Sequence, residues 1–192
     1  MKKIATRKLV ESALLIAIAT VLSLIKIDLP FGGGVTIVSM LPLIVASHRW
    51  GWKWGVVTAF VYSVLQLILG LDNVGYAANA AMAVGIILLD YIIAYTVIGL
   101  SGIFDKIIKN GRAAVAVGIA VTFCLRFVCH LITGAWIWGV WMPDEFMNMP
   151  MTSPWLYSFL YNGSFMLPET LMTIAAAALL FFVYAAVNQR GA

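Results

Sequence analysis

Long apolar runs are the feature of this sequence that most restricts its fold. The run from Ala113 to Val140 carries a single charged side chain, Arg126. An apolar stretch of about 20 residues is long enough to cross a bilayer as a helix. Over the whole chain only 10% of residues are charged, against about 25% in soluble domains. The sequence therefore predicts an all-α membrane protein that forms one integral membrane domain over residues 1–192.

The apolar runs divide into six predicted transmembrane spans. A proline is expected to break the second run, because Pro42 cannot donate a helical hydrogen bond. That run is also short for a full crossing, so we expect it to be tilted, bent or partly re-entrant. The spans are placed near residues 9–27, 35–47, 54–71, 77–104, 113–140 and 155–187.

Charges in the connections predict the orientation of the spans. Basic residues precede the first span, lie between spans two and three and between four and five, and follow the sixth. The other connections are acidic, with Lys26 the only nearby base. Since basic connections stay on the cytoplasmic side, both termini are predicted to be cytoplasmic. This scattered placement of the net charge of +4 does not indicate nucleic-acid binding.

Cysteine and histidine chemistry is not indicated. Cys124 and Cys129 are five residues apart, a spacing that turns them to different faces of one helix and disfavours a disulfide. With only two distant histidines they do not match a zinc pattern. We also find no serine or cysteine nucleophile placed beside a base. The sequence thus gives no sign of an enzyme, of a cofactor or of a metal centre.

Polar side chains inside the apolar runs are the strongest functional signal. On the fifth span Arg126, His130, Gly134 and Trp138 follow one another at intervals of four, which places them near one face of a helix. A charge in the bilayer costs at least ~2.5 kcal/mol. These side chains are therefore expected to face the protein interior or a wet cavity.

Candidate partners for this stripe lie on two other spans. Asp90 is on the fourth span, and Tyr157, Asn162 and Glu169 are on the sixth. The depths of Arg126 and Glu169 match, so we predict a structural ion pair between them. The outer layer then offers a carboxylate, an imidazole, an amide and aromatic rings, a set that suits a small flat cation. Each group also has a purely structural interpretation, as a hydrogen-bonded interior residue or part of an interfacial aromatic belt.

Three of these segments resemble the thiamine-specific substrate-binding (S) subunits of energy-coupling factor (ECF) transporters. The resemblance is carried by SPWLYSFLYNGSFMLPE, RFVCHLITGAWIW and LLDYIIAYTVIGLSGIF and extends over nearly the whole chain. It implies six helices and an outward-facing vitamin pocket that the first loop closes. It further implies thiamine capture without ATP hydrolysis, with a transmembrane coupling subunit and two ATPase subunits as partners in a prokaryotic plasma membrane.

The same resemblance assigns roles to particular residues. Small residues on the first helix dock the coupling subunit in this family, and here Ala13 and Ala17 have the small-xxx-small spacing; internal packing is the alternative. Some members have a longer Glu in place of the pocket Asp and an aromatic residue in the first loop, where this chain has Gly32, Gly33 and Gly34. The pocket side chains implied by the resemblance are Asp90, Tyr91, His130, Gly134, Trp138, Tyr157 and Asn162.

Two other functions remain open at this point. Asp90 and His130 could relay protons in a stand-alone, proton-coupled transporter of a small cationic heterocycle. The chain could also be the S subunit for a different vitamin. In every case we expect a multi-pass protein of the cell membrane.

Overall fold

The computed structural model describes residues 2–28 and 34–190, with side chains described for residues 4–27 and 34–182. The described chain is mainly helical. Its helices are α1 (Lys2–Leu24), α2 (Leu41–Trp50), α3 (Trp52–Leu69), α4 (Ala80–Lys106), α5 (Gly111–Trp136) and α6 (Pro154–Arg190).

Four of the described helices, α3 to α6, are long and apolar enough to cross a membrane. They correspond to the third to sixth predicted spans within a few residues at each end. The helix α2 has 10 residues and is therefore about 15 Å long, half the thickness of a hydrocarbon core of about 30 Å. The fold is thus a mostly helical membrane fold with four candidate spans among its described residues.

The predicted second span, near residues 35–47 with a break at Pro42, was wrong in its bounds and in the effect of the proline. Pro42 lies in the first turn of α2, where its missing N–H has no helical acceptor in any case. Val35 belongs to a strand instead of a helix. The proline therefore begins this helix.

Two of the three acidic connections, which we predicted to be external, form short hairpins. Strand β1 (Lys26–Asp28) pairs antiparallel with β2 (Gly34–Thr36), so the first helix ends before the predicted limit of residue 27. Strand β3 (Glu145–Phe146) pairs with β4 (Met149–Pro150). Of the predicted lid glycines, Gly34 begins β2, while Gly32 and Gly33 lie outside the described residues.

The helices α3 and α4 are in backbone contact where they cross. A Cβ atom on Gly99 would overlap the backbone of Gly55, and one on Gly55 would lie 2.5 Å from the Ser47 side chain. The Ser47 hydroxyl donates to the Gly99 carbonyl at 2.6 Å and so joins α2 to the same contact. Small residues at these positions allow three helices to pack backbone against backbone.

Replacing Gly99 by Ala is expected to destabilise the fold by about 1–3 kcal/mol, because the added methyl group forces α3 and α4 apart. The matched control is Gly163→Ala, a helical position where a Cβ meets nothing within 4 Å. Thermal unfolding in detergent should show a lower midpoint for Gly99→Ala alone. Equal midpoints for the two variants would show that this contact does not hold the helices together.

Candidate functional site

The carboxylate of Asp90 is the centre of a hydrogen-bonded group inside the helix bundle. Its Oδ1 is 3.0 Å from Nδ1 of His130 and accepts from the Thr133 hydroxyl, and its Oδ2 accepts from Nε1 of Trp138 at 2.9 Å. Only 12% of the Asp90 side chain is exposed. A carboxylate at this depth requires such donors, since an unpaired charge there is costly. The structure therefore brings Asp90, His130 and Trp138 together.

The segment of α4 that carries Asp90 has an unusual helical geometry. Residues Ile86–Ile93 form a π-helix, a wider turn that occurs mostly in single turns and often at functional sites. The wider turn changes which residues share a face, so the α-helical spacing rule does not apply here. Asp90 faces α5 from this segment.

Tyr91 points to a different part of the molecule from Asp90. Its hydroxyl donates to the Gly70 carbonyl at 2.9 Å and accepts from Nδ2 of Asn73 at 2.7 Å. Its ring belongs to an apolar cluster with Ile137, against which Trp138 packs. Tyr91 thus fixes the connection between α3 and α4 beside the site, and its hydroxyl does not join the Asp90 group.

Trp138 reaches the site by a route that the sequence pattern did not predict. Helix α5 ends at Trp136, and a 3-10 helix, Trp138–Trp141, follows. The prediction that Trp138 follows Gly134 on the same face of one α-helix was therefore wrong, because α-helical geometry ends before Trp138. The indole ring of Trp138 lies 6.2 Å from the Tyr76 ring and 5.8 Å from the Trp141 ring, centre to centre.

Helix α6 packs against α5 at His130 and Gly134. The side-chain amide of Asn162 donates to the His130 carbonyl at 3.3 Å and to the Ser158 carbonyl at 2.9 Å. Gly134 is buried, and a Cβ there would overlap the Ser158 hydroxyl, so the glycine permits this close approach. Asn162 and Gly134 therefore hold α6 against the backbone of α5 next to His130.

Tyr157 lies in an aromatic group next to the second hairpin. Its ring is buried and its centre is 5.7 Å from that of Phe146 and 5.4 Å from that of Tyr161. Phe146 comes from β3, so the hairpin β3–β4 covers this end of α6. This arrangement adds an apolar wall to the region above Asn162.

Thr133 is the site residue that the sequence analysis missed. It is three residues after His130 and therefore shares its face of α5, which is the signal that could have identified it. Threonine in an apolar helix usually bonds the backbone of its own helix, and Thr133 also does so, at 3.3 Å from the Cys129 carbonyl. Its additional bond to Asp90 becomes visible only when α4 and α5 are placed together.

Arg126 and Glu169 form a second buried group below the first. Nη1 of Arg126 donates to Oε2 of Glu169 at 2.6 Å, and both side chains are buried. The hydroxyl of Thr36 on β2 donates to the other oxygen of Glu169. The guanidinium carbon is 5.1 Å from the centre of the Tyr95 ring, which is within cation–π range. The ion pair thereby connects the first hairpin to α5 and α6.

The two alanines predicted to dock a partner lie on the surface of α1. Ala13 and Ala17 are exposed, whereas Ala19 is fully buried. The small side chains of the two exposed alanines would let another helix approach α1 closely, whereas Ala19 packs inward.

The chemistry of the site favours recognition over bond breaking. A carboxylate has about four lone-pair positions. Asp90 fills three of them with protein donors, which leaves Oδ2 able to accept from one more. Nε2 of His130 is buried and has no hydrogen-bond partner among the described residues. In the same part of the chain, no group of three His, Cys, Asp or Glu side chains could hold a metal ion.

Known proteins with similar sequences are thiamine transporters. Residues 9–189 match the family described as Thiamine transporter protein (Thia_YuaJ). The thiamine transporter ThiT of Bacillus subtilis (strain 168) is 32% identical over 186 residues, covering 91% of this chain and 90% of that protein. ThiT of Lacticaseibacillus paracasei is 29% identical over 189 residues, covering 91% and 87%.

Solved structures show the same fold. A structure of ThiT from Listeria monocytogenes matches with a TM-score of 0.70 at 20% identity, covering 99% of this chain and 98% of that one. The S component of a bacterial ECF transporter matches with a TM-score of 0.53 at 17% identity, covering 97% of each chain. The family is one of transporters and not of enzymes, and the resemblance found in the sequence is confirmed. Because the family match extends over almost the entire sequence, the chain belongs to the thiamine transporter protein family.

Proposed function

We propose that this protein captures thiamine at an outward-facing pocket as the S subunit of an ATP-driven ECF importer and leaves the ligand chemically unchanged. The observation that carries the proposal is the Asp90 carboxylate, held by donors from His130, Thr133 and Trp138 inside a bundle of the thiamine transporter family. A buried anion beside aromatic rings suits a flat, cationic, amine-bearing heterocycle.

The proposed mechanism consists of binding and orienting the ligand, with no chemical step. Asp90 accepts a hydrogen bond from the amino group of the ligand or pairs with its positive charge, using the remaining capacity of Oδ2. Trp138 stacks on one ring. His130, Tyr157 and Asn162 supply hydrogen bonds to ring nitrogens and the hydroxyl group. The remaining two predicted residues shape the pocket, Gly134 by its lack of a side chain and Tyr91 by fixing the connection between α3 and α4.

The proposed topology has six membrane spans within one domain, residues 1–192, in the prokaryotic plasma membrane, with both termini in the cytoplasm. The short second span consists of the segment that contains β2 and α2. The alternation of basic and acidic connections supports this topology. We further propose that the transmembrane coupling subunit docks on Ala13 and Ala17, whose exposure leaves them accessible, and that two ATPase subunits complete the importer. The likeness to a solved S component supports this assembly.

The test is a ligand titration of the purified protein followed by transport. Thiamine should quench tryptophan fluorescence in a saturable manner, because Trp138 lies against the site, whereas riboflavin and biotin should not. Uptake into liposomes should require the coupling and ATPase subunits together with ATP. Uptake by this chain alone in a proton gradient would instead establish the proton-coupled alternative, and saturable binding of another vitamin would change the assigned ligand.

Replacing Thr133 by Val is expected to weaken thiamine binding about 10-fold or more, because a hydrogen bond to a charged group is worth about 1.5–3 kcal/mol. Loss of this donor also frees the Asp90 carboxylate to leave its position. Isothermal titration measures the effect. The matched control is Thr122→Val, whose hydroxyl donates to the Gly118 carbonyl of its own helix at 2.7 Å. Equal affinities for the two variants would remove Thr133 from the site.

A further inference from the structure

An apolar groove between α3 and α4 lies outside the site described above. It has a volume of about 240 Å³, and its walls include Val56 and Phe60 from α3 with Ile93, Val97 and Leu100 from α4. Phe60 and Ile93 are 46% and 40% exposed, so the groove is open along its length. Such a surface on two membrane-crossing helices faces lipid rather than water.

The groove occupies the half of the bilayer nearest the first residue of α3. Phe60 is eight residues after Trp52, where α3 begins, and a rise of 1.5 Å per residue places it about 12 Å along the helix. That distance is within one leaflet of a hydrocarbon core about 30 Å thick. In the proposed orientation this is the cytoplasmic leaflet, so the inference rests on that part of the proposed function.

Two lysines lie at the cytoplasmic end of the groove. Lys53 precedes Val56 by three residues and Phe60 by seven, and therefore shares their face of α3. The last part of α4, Val97–Lys106, is a 3-10 helix, in which residues three apart are eclipsed. Lys106 therefore stands in line with Val97 and with the other groove residues of that segment, two turns beyond the last of them.

Both lysines are exposed and have neighbours typical of the membrane interface. Nζ of Lys53 lies 5.8 Å from the centre of the Trp52 ring, and tryptophan is enriched at the level of lipid headgroups. The acidic neighbour of Lys106 is Asp105, which is engaged with Nδ1 of His48 at 2.8 Å. Lys53 thus presents positive charge at the end of the groove, and Lys106 adds a second charge two turns farther along α4.

We propose that this groove binds an anionic phospholipid of the cytoplasmic leaflet. One acyl chain lies against Phe60, Ile93 and Val97, and the phosphate headgroup meets Lys53 with Lys106 beyond it. Basic pockets between membrane helices on the cytoplasmic side are the kind of site that binds anionic headgroups. The branched and aromatic walls fit a hydrocarbon chain, and the charge at the end selects an anion.

The test is native mass spectrometry of the full chain with phosphatidylglycerol or phosphatidylcholine in mixed micelles. The unchanged protein should retain phosphatidylglycerol in preference to phosphatidylcholine. In the double variant Lys53→Gln with Lys106→Gln, the ratio of retained phosphatidylglycerol to phosphatidylcholine should fall about 25-fold, since each lysine near the surface contributes a factor of about 5. The charge control is Lys109→Gln, which lies beyond α4 and should change nothing.

The groove itself is tested by filling it. Val97→Trp should abolish retention of both lipids, and the milder Ile93→Phe should reduce it; the control Val117→Trp adds the same bulk to the exposed face of α5 and should have no effect. Thiamine affinity, measured for every variant, should stay unchanged and reports correct folding. Equal retention of the two lipids by the unchanged protein would overturn the proposal, as would undiminished retention by Val97→Trp. Absence of thiamine binding in the unchanged protein would count against the proposed function instead.

Discussion

The variant Asp90→Asn is expected to bind thiamine at least about 100-fold more weakly than the unchanged protein. The substitution removes the negative charge that faces the ligand, and a charge-assisted hydrogen bond is about twice as strong as a neutral one. It also places an amide NH₂ against donors from Thr133 and Trp138, so one of these buried donors loses its acceptor, at about 1–3 kcal/mol. The loss of the charge and the loss of a hydrogen bond that positions the side chain both lower the affinity for thiamine.

Equilibrium dialysis with labelled thiamine is the appropriate measurement, because Trp138 donates to Asp90 and its fluorescence changes with the substitution itself. The matched control is Asp72→Asn, an exposed carboxylate in the short 3-10 helix after α3, which should bind thiamine normally. Undiminished binding by Asp90→Asn, with an unchanged thermal unfolding midpoint, would show that this carboxylate does not contact the ligand.

Removing one member of the Arg126–Glu169 pair is expected to have the largest effect on stability. Breaking a buried ion pair from one side costs about 3–5 kcal/mol, because the remaining charge is left without a partner in a low-dielectric interior. Glu169→Leu leaves the Arg126 guanidinium uncompensated and also removes the acceptor of the Thr36 hydroxyl. The first hairpin then loses this hydrogen bond to α6.

The double variant Arg126→Met with Glu169→Leu should recover more than half of that loss, because no charge remains to be buried. Thermal unfolding in detergent compares the single and double variants. The control is Arg7→Gln in the exposed pair that Arg7 makes with Glu11 at 2.8 Å, where screening by solvent leaves little effect. A double variant no more stable than Glu169→Leu would show that the penalty does not come from the isolated charge.

Hydropathy predicted the long helices well, because a membrane span has a length and an apolar composition that few other structures share. The same signal failed for α2, where apolar residues continue through β2 and into a short helix. A three-residue strand is too short to leave a periodic pattern. The predicted break at Pro42 was wrong because proline occurs both in the first turn of a helix and at helix breaks.

The sequence predicted only part of the site, and its ionisable side chains were the clearest signal. Asp90 and His130 stand out because an ionisable group in an apolar helix requires an explanation. The hydroxyl of Thr133 does not stand out, since threonine can satisfy itself on its own helix. The π-helical turn around Asp90 and the change of geometry before Trp138 depend on how α4 and α5 pack, which spacing along one chain does not encode.

The proposed function requires that thiamine binds at the Asp90 group. A crystal structure of the protein grown with thiamine tests it most directly. We expect a nitrogen of the ligand within about 3.2 Å of Oδ2 of Asp90, with one ring of the ligand against the indole of Trp138. Thiamine bound elsewhere, with the carboxylate still held only by its three protein donors, would contradict the account.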